Sequence, residues 1–299
     1  MWGRQKQPRT TQPSTIVFTM VKDEATMLPR WLDYYGRAFD PDRLLVIDDD
    51  STDGSTDNLP CPVIRLRGSD WKPGWMQGRR AMVNSLASAM LAYHDVVIFT
   101  DVDEFLVPDP DRYSGLADYL SRNKDPVIAP VGLNVLHDEA AEAALDGARP
   151  VMQQRRLVKH APVMCKPGIK RVRADWTAGF HGIETTYRVH PDLLLLHLKY
   201  CDVGELTKTS AARHELHVTS KRGGRASAWS KEASELAEKM RAWTARARTE
   251  TPPDFDPYSI KTAGMVKRND EGYFHVPGAQ LRAMAREPLR VLPERYRVV

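Results

Sequence analysis

Short apolar runs, each ending abruptly in acids or turn formers, constrain this chain more than any other feature. Thr15-Ile-Val-Phe-Thr-Met20, Leu44-Leu-Val-Ile47 and Val96-Val-Ile-Phe99 are continuous rather than alternating, as strands are when both faces of their sheet are covered. Val63-Ile-Arg-Leu66 is a shorter run of the same kind. Helical spacing lies between them. Leu28, Trp31, Leu32 and Tyr35 recur at i, i+3, i+4 and i+7, with Gly36 placed to stop the turn, and Val83, Leu86, Met90 and Tyr93 form a second stripe. Strands alternating with helices predict an α/β fold with a doubly wound, mostly parallel sheet and helices on both faces. In such sheets ligands bind beyond the carboxyl ends of the strands. The acids sit there: Asp23 and Glu24 after the first run, Asp48 to Asp50 after the second, and Asp101-Val-Asp-Glu-Phe105 after Phe99.

The remainder bounds the class. At 299 residues and 42% hydrophobic, the chain is long and apolar enough for one large or two modest cores, which excludes disorder and fibrous repeats. Its net charge of +4 is too mild for a nucleic-acid face. No apolar stretch is long enough to cross a bilayer, and no hydrophobic segment follows the charged start to make a signal peptide. The expectation is a cytoplasmic protein, with peripheral contact at the inner face of the membrane left open. Cys61, Cys165 and Cys201 are too few and too scattered for a disulfide framework or a zinc site, and are expected as buried thiols. Residues 1–13 read as a polar tail, 14–205 as the main α/β domain, and 206–299 as a mainly helical extension. In the last, Trp229, Ala233, Leu236, Met240, Trp243 and Ala247 step by four and three. Lys221, Arg222 and Arg225 precede that helix, whose Glu232, Glu235 and Glu238 argue against a membrane face.

The chemistry centres on Asp101 and Asp103. In an extended segment, side chains at i and i+2 point the same way, so two carboxylates leaving a buried strand can hold one hard cation. Such an ion completes its shell with water and substrate phosphates, which implies a diphosphate ligand. The alternative, an acidic strand end that only solubilises a loop, is weakened by the apolar run before it. Asp49 stands at the end of the neighbouring strand, where a carboxylate can accept from a nucleobase or ribose. An Asp-rich turn without ligand explains that loop equally well.

Met20-Val-Lys-Asp-Glu24 with Trp31-Leu-Asp-Tyr-Tyr35, Leu45-Val-Ile-Asp-Asp-Asp-Ser-Thr-Asp-Gly54, and Thr100-Asp-Val-Asp-Glu-Phe-Leu-Val-Pro108 together resemble the nucleotide-sugar glycosyltransferases of family 2, in the branch related to family 92. The likeness is good over residues 14–110, patchy to 205 and absent beyond. It implies the GT-A fold and a metal-dependent, inverting transfer from a nucleotide-diphosphate sugar to a hydroxyl acceptor such as a glycan, polysaccharide or glycolipid. Carried over residue by residue, it makes Asp49 the base or ribose contact, with Asp23 and Glu24 on the neighbouring loop. Asp101 then lies by the ribose and metal, and Asp103 becomes a direct ligand. The late histidine of that branch matches Leu196-His-Leu-Lys-Tyr200, so His197 is the third candidate ligand, with His181 as competitor. An imidazole among carboxylates favours Mn²⁺ over Mg²⁺.

Charge building on the departing diphosphate calls for a cation, and Lys166, Lys199 and Arg80 are candidates. Removing the acceptor's proton calls for a base. The family's acidic motif after the DxD is not recognisable here, which leaves Asp138 and Glu139 as first candidates and Glu184 or Asp192 behind them. Two other readings use the same residues. One is a Mg²⁺-dependent phosphoryl or nucleotidyl transferase. The other is a catalytically silent glycan-binding protein that keeps the fold. A P-loop or GxGxxG is missing from the sequence.

Overall fold

The fold grows outward from the apolar runs. The computed structural model describes residues 12–67, 75–147, 149–220 and 233–299. In chain order the first half comprises strand β1 (Thr15–Val21), helix α1 (Leu28–Gly36), β2 (Leu44–Asp48), β3 (Val63–Arg65), helix α2 (Trp75–Met90) and β4 (Val96–Phe99). Side by side these strands run β4-β1-β2-β3, every pair parallel. The chain thus steps from β1 to β2 and β3, then returns to the other side of β1 for β4. That reversal leaves a crevice at the carboxyl ends of β1 and β4, the general ligand position of such sheets.

The second half comprises β5 (Glu104–Pro108), α3 (Leu116–Arg122), β6 (Val127–Leu136), α4 (Val151–Gln154), β7 (Leu157–His160), β8 (Ile169–Lys170), β9 (Gly182–Ile183) and β10 (Arg188–His197). It continues through α5 (Val203–Ser220), α6 (Ala233–Thr244), β11 (Lys267–Arg268), β12 (Phe274–His275), α7 (Gln280–Arg286) and β13 (Arg290–Val291). Two-residue β8 joins the halves, pairing antiparallel with both β4 and β6. Antiparallel β7 and β13 extend the far edge. β10 runs parallel to β6 and antiparallel to β5, which brings its last residue, His197, level with Asn134 and Glu104. A small sheet of β11, β12 and β9 stands apart. The α/β class read from the sequence is the one the chain adopts.

Local sequence explains the key elements. α1 buries Leu28, Trp31 and Tyr35, and such side chains contribute about 1.5–3 kcal/mol each on burial. The second stripe holds for Val83 and Met90, but α2 stops at Met90 and a turn carries Tyr93 outward, leaving it 83% exposed. In α6, Leu236 and Met240 pack with Leu206 and Met284. Trp229, Glu232 and the cations Lys221, Arg222 and Arg225 lie outside the described residues. All three cysteines are buried free thiols. Among the described residues, no helix is long and apolar enough to cross a membrane.

Candidate active site at the carboxyl edge of the sheet

The acidic segment after β4 is not extended. Glu104 N–H donates to the Asp101 carbonyl at 3.0 Å, closing a turn over Asp101-Val-Asp-Glu104. The i, i+2 argument therefore does not apply, and the two aspartates meet different partners. The Asp101 carboxylate accepts from Arg79 Nη2 at 2.9 Å and from Lys166 Nζ at 3.1 Å. Asp103 Oδ2 faces His197 Nε2 at 3.5 Å. Glu104, 2% exposed, pairs with Lys166 and accepts the Asp101 N–H on its other oxygen.

α1 holds this turn at both ends. Trp31 Nε1 donates to Thr100 Oγ1 at 2.9 Å, and Tyr35 Oη donates to the Glu104 carbonyl at 3.1 Å while accepting from Leu106 N–H. The sequence periodicity reads these aromatics only as packing. A Cβ at Gly168 would lie 2.9 Å from the Phe99 carbonyl, so glycine is what lets the segment carrying Lys166 run so close to the end of β4.

Charges follow from this packing. Burial alone would raise the Asp101 carboxyl, but Lys166 and Arg79 outweigh it and hold it well below the ordinary carboxylate range. Burial pushes Glu104 up, against the pull of Lys166. Desolvation works against the Lys166 ammonium, yet Glu104 and Asp101 keep it charged beyond the usual lysine range. Two cations thus answer two carboxylates, Asp101 and Glu104.

Among the described residues, Asp103, Glu104 and His197 offer ligand atoms that all lie within 4.8 Å of one another. With bonds of ~2.1 Å, two ligands of one small divalent ion stand ~3–4 Å apart, which the 3.5 Å between Asp103 and His197 matches. Two carboxylates and an imidazole can hold a divalent cation such as Mn²⁺ or Mg²⁺. His181 takes another course: its Nδ1–H donates to the Val163 carbonyl at 2.8 Å, and burial with nearby Lys166 lowers its pKa to about 4.

The two acidic loops are braced together. Lys22 donates to the carbonyls of Asp49 and Asp50 at 3.0 and 2.7 Å. Asp23, at a left-handed φ of 53°, accepts from Thr52 N–H at 2.7 Å. Asp48 is committed to Thr56 and Arg65. Asp49 differs: it is 7% exposed, and its carboxylate has no hydrogen bond or ion pair among the described residues. An open cleft of about 120 Å³ runs from this edge, lined by Asp23, Glu24, Thr26, Asp53, Asp103, Lys199, Glu205 and Lys208.

Other sequence candidates stand elsewhere. Asp138 pairs with Arg248 at 3.4 Å and Glu139 with Arg241 at 2.7 Å, so both face α6 and the segment after it; neither lines the cleft. Asp192 accepts from Tyr113 Oη at 2.5 Å, and Glu184 from Asp175 N–H at 2.8 Å. Arg80 is half-buried, and the guanidinium that reaches Asp101 is that of Arg79, one residue and about 100° away on the helix. Glu205 has no distinguishing sequence signal. It reaches the cleft because Asp202 caps α5, accepting the Glu205 N–H at 3.0 Å, and its carboxylate accepts from Thr26 Oγ1 at 3.2 Å.

No protein-family profile and no curated protein matches the chain. A solved structure that it matches is the mannosyltransferase PcManGT from Pyrobaculum calidifontis in complex with GDP-Man and Mn²⁺, with 13% identity and a TM-score of 0.35 over 80% of this chain and 76% of that one.

Proposed function

We propose that the protein is a metal-dependent glycosyltransferase that moves a sugar from a nucleotide-diphosphate donor to a hydroxyl acceptor, inverting the sugar carbon. The observation that carries this reading is the convergence of Asp103, Glu104 and His197 beside the β1/β4 crevice, at the mouth of an open cleft. The family-like motifs quoted above fall on the three loops around it.

In this reading Asp103, Glu104 and His197 hold the ion, and Asp101, fixed by Arg79 and Lys166, keeps the turn in place. A bound Mn²⁺ or Mg²⁺ supplies positive charge to the departing diphosphate oxygens. Lys199 and Lys208, which line the same cleft, add charge there, while Lys166 serves beneath the carboxylates. Asp49, buried and with no side-chain partner among the described residues, accepts from the base or ribose. Glu205 takes the acceptor hydroxyl's proton: it already accepts a hydroxyl hydrogen from Thr26, and it stands in the cleft that Asp138 and Glu139 do not line.

The test is release of nucleoside diphosphate from labelled UDP- and GDP-sugars in Mn²⁺. Slow transfer to water that is lost in Asp103→Ala supports the transferase. Binding of the same donors with no release in any condition favours the silent glycan-binding reading instead.

A further inference from the structure

Asn134 is fully buried on β6, directly opposite His197 of β10 in the parallel register. A buried primary amide in an apolar setting is costly unless its oxygen and nitrogen find partners. Both do. Asn134 Oδ1 lies 2.7 Å from His197 Nδ1, and Asn134 Nδ2 lies 2.9 Å from the thioether sulfur of Met284 on α7, itself fully buried.

The chemistry of these three groups favours one direction for this chain. Thioether sulfur accepts weakly and never donates, so the amide NH₂ belongs on the Met284 side and the carbonyl oxygen on the His197 side. A carbonyl oxygen accepts only, so the ring proton of neutral His197 sits on Nδ1. Nε2 then turns its lone pair toward the proposed ion position beside Asp103 Oδ2, 3.5 Å away. Reversing the amide would put Nδ2–H against Nδ1, force the proton onto Nε2 and remove the ligand.

We infer that Asn134, oriented by Met284, is a positioning residue that selects the metal-binding tautomer of His197. This rests on the proposed reading for the metal but not for the tautomer. A helix of the C-terminal segment thereby sets the state of a ring at the mouth of the sheet, beyond the reach of the quoted motifs.

The experiment uses the full chain and two readouts. Long-range ¹H–¹⁵N NMR of the metal-free protein reports which ring nitrogen of His197 carries the proton, and titration with Mn²⁺ alone, followed by electron paramagnetic resonance, reports affinity. Wild type is expected in the Nδ1–H tautomer. Asn134→Leu is expected to lose that preference and to bind Mn²⁺ about 10–100-fold more weakly, the usual cost of removing a partner behind a ligating histidine. Met284→Leu, a nearly volume-conserving change, should admit some Nε2–H form and weaken Mn²⁺ less. Asn134→Asp keeps the acceptor and should keep the tautomer, so the test survives if Asn134→Leu does not fold. An Nε2–H wild type, or equal Mn²⁺ affinity in wild type, Asn134→Leu and Met284→Leu, overturns the inference. If wild type binds no Mn²⁺ yet shows Nδ1–H that is lost in Met284→Leu, the proposed metal fails and the tautomer assignment stands.

Discussion

Replacing Lys166 by methionine probes how the acidic turn is held. The lysine side chain is 7% exposed, Glu104's 3% and Asp101's 30%, so the variant strands the Glu104 carboxylate deep in the protein and leaves Asp101, at its border, to Arg79 alone. Removing one partner of a buried ion pair costs about 3–5 kcal/mol, chiefly because the other charge stays desolvated. At about 2 °C per kcal/mol for a chain of this size, the unfolding midpoint should fall by about 6–10 °C. The loss depends on pH in a definite direction. Burial already raises the Glu104 carboxyl above its ordinary value, with Lys166 opposing, and without the lysine the folded value rises further. The penalty is then full where the unfolded carboxylate is ionised and the folded site resists ionisation. It fades as pH falls toward the unfolded value. Scanning calorimetry in EDTA at pH 8 and pH 5 should show a larger deficit at pH 8, and Glu104→Gln in the same chain should restore part of it. A deficit equal at both pH values, or none, would refute the placement of Lys166 between these acids.

Three further outcomes are expected. Asp49→Ala should weaken nucleotide-diphosphate binding by about tenfold, near 1.4 kcal/mol, without changing Mn²⁺ affinity, as isothermal titration can check; equal loss of both would merge the two acidic loops into one subsite. Glu205→Gln should lower turnover about 10²–10⁴-fold while leaving nucleotide affinity intact, and normal turnover would return the base to another residue. His181 is held neutral in the fold, near 4 against 6.5 for the free ring. The unfolded state therefore takes up more protons between those values, and the stability His181 contributes is present above pH 6.5 and lost as pH falls through the window. Denaturant unfolding of His181→Gln should show a flatter decline there than wild type.

Much of the sheet was legible because its strands are buried on both faces. β1, β2 and β4 announce themselves as continuous apolar runs, and the acids that end them mark the crevice left by the strand reversal. What the residues alone could not reveal was set by tertiary contact. The turn at Asp101 to Glu104 depends on a hydrogen bond within it and on Trp31 and Tyr35 bracing it from α1. Arg79 rather than Arg80 reaches Asp101 because one residue rotates a helix by about 100°. Asp138 and Glu139 look available in sequence, yet arginines 241 and 248, more than a hundred residues later, face them. Glu205 and Asn134 carried no motif. The first owes its place to a helix cap, the second to strand register and a methionine 150 residues away.

The most direct measurement is the thermal shift of wild type, Asp103→Ala and His197→Ala with UDP or GDP, with and without Mn²⁺. A ligand at about a hundred times its dissociation constant stabilises the folded state by about 2.7 kcal/mol. One nucleotide should raise the wild-type midpoint only when Mn²⁺ is present, and both variants should lose that increment, measured against each variant's own ligand-free midpoint, which for His197→Ala lies lower because Asn134 loses its buried partner. An increment that survives in both variants, or that no nucleotide produces in wild type, would contradict a donor site built on these ligands.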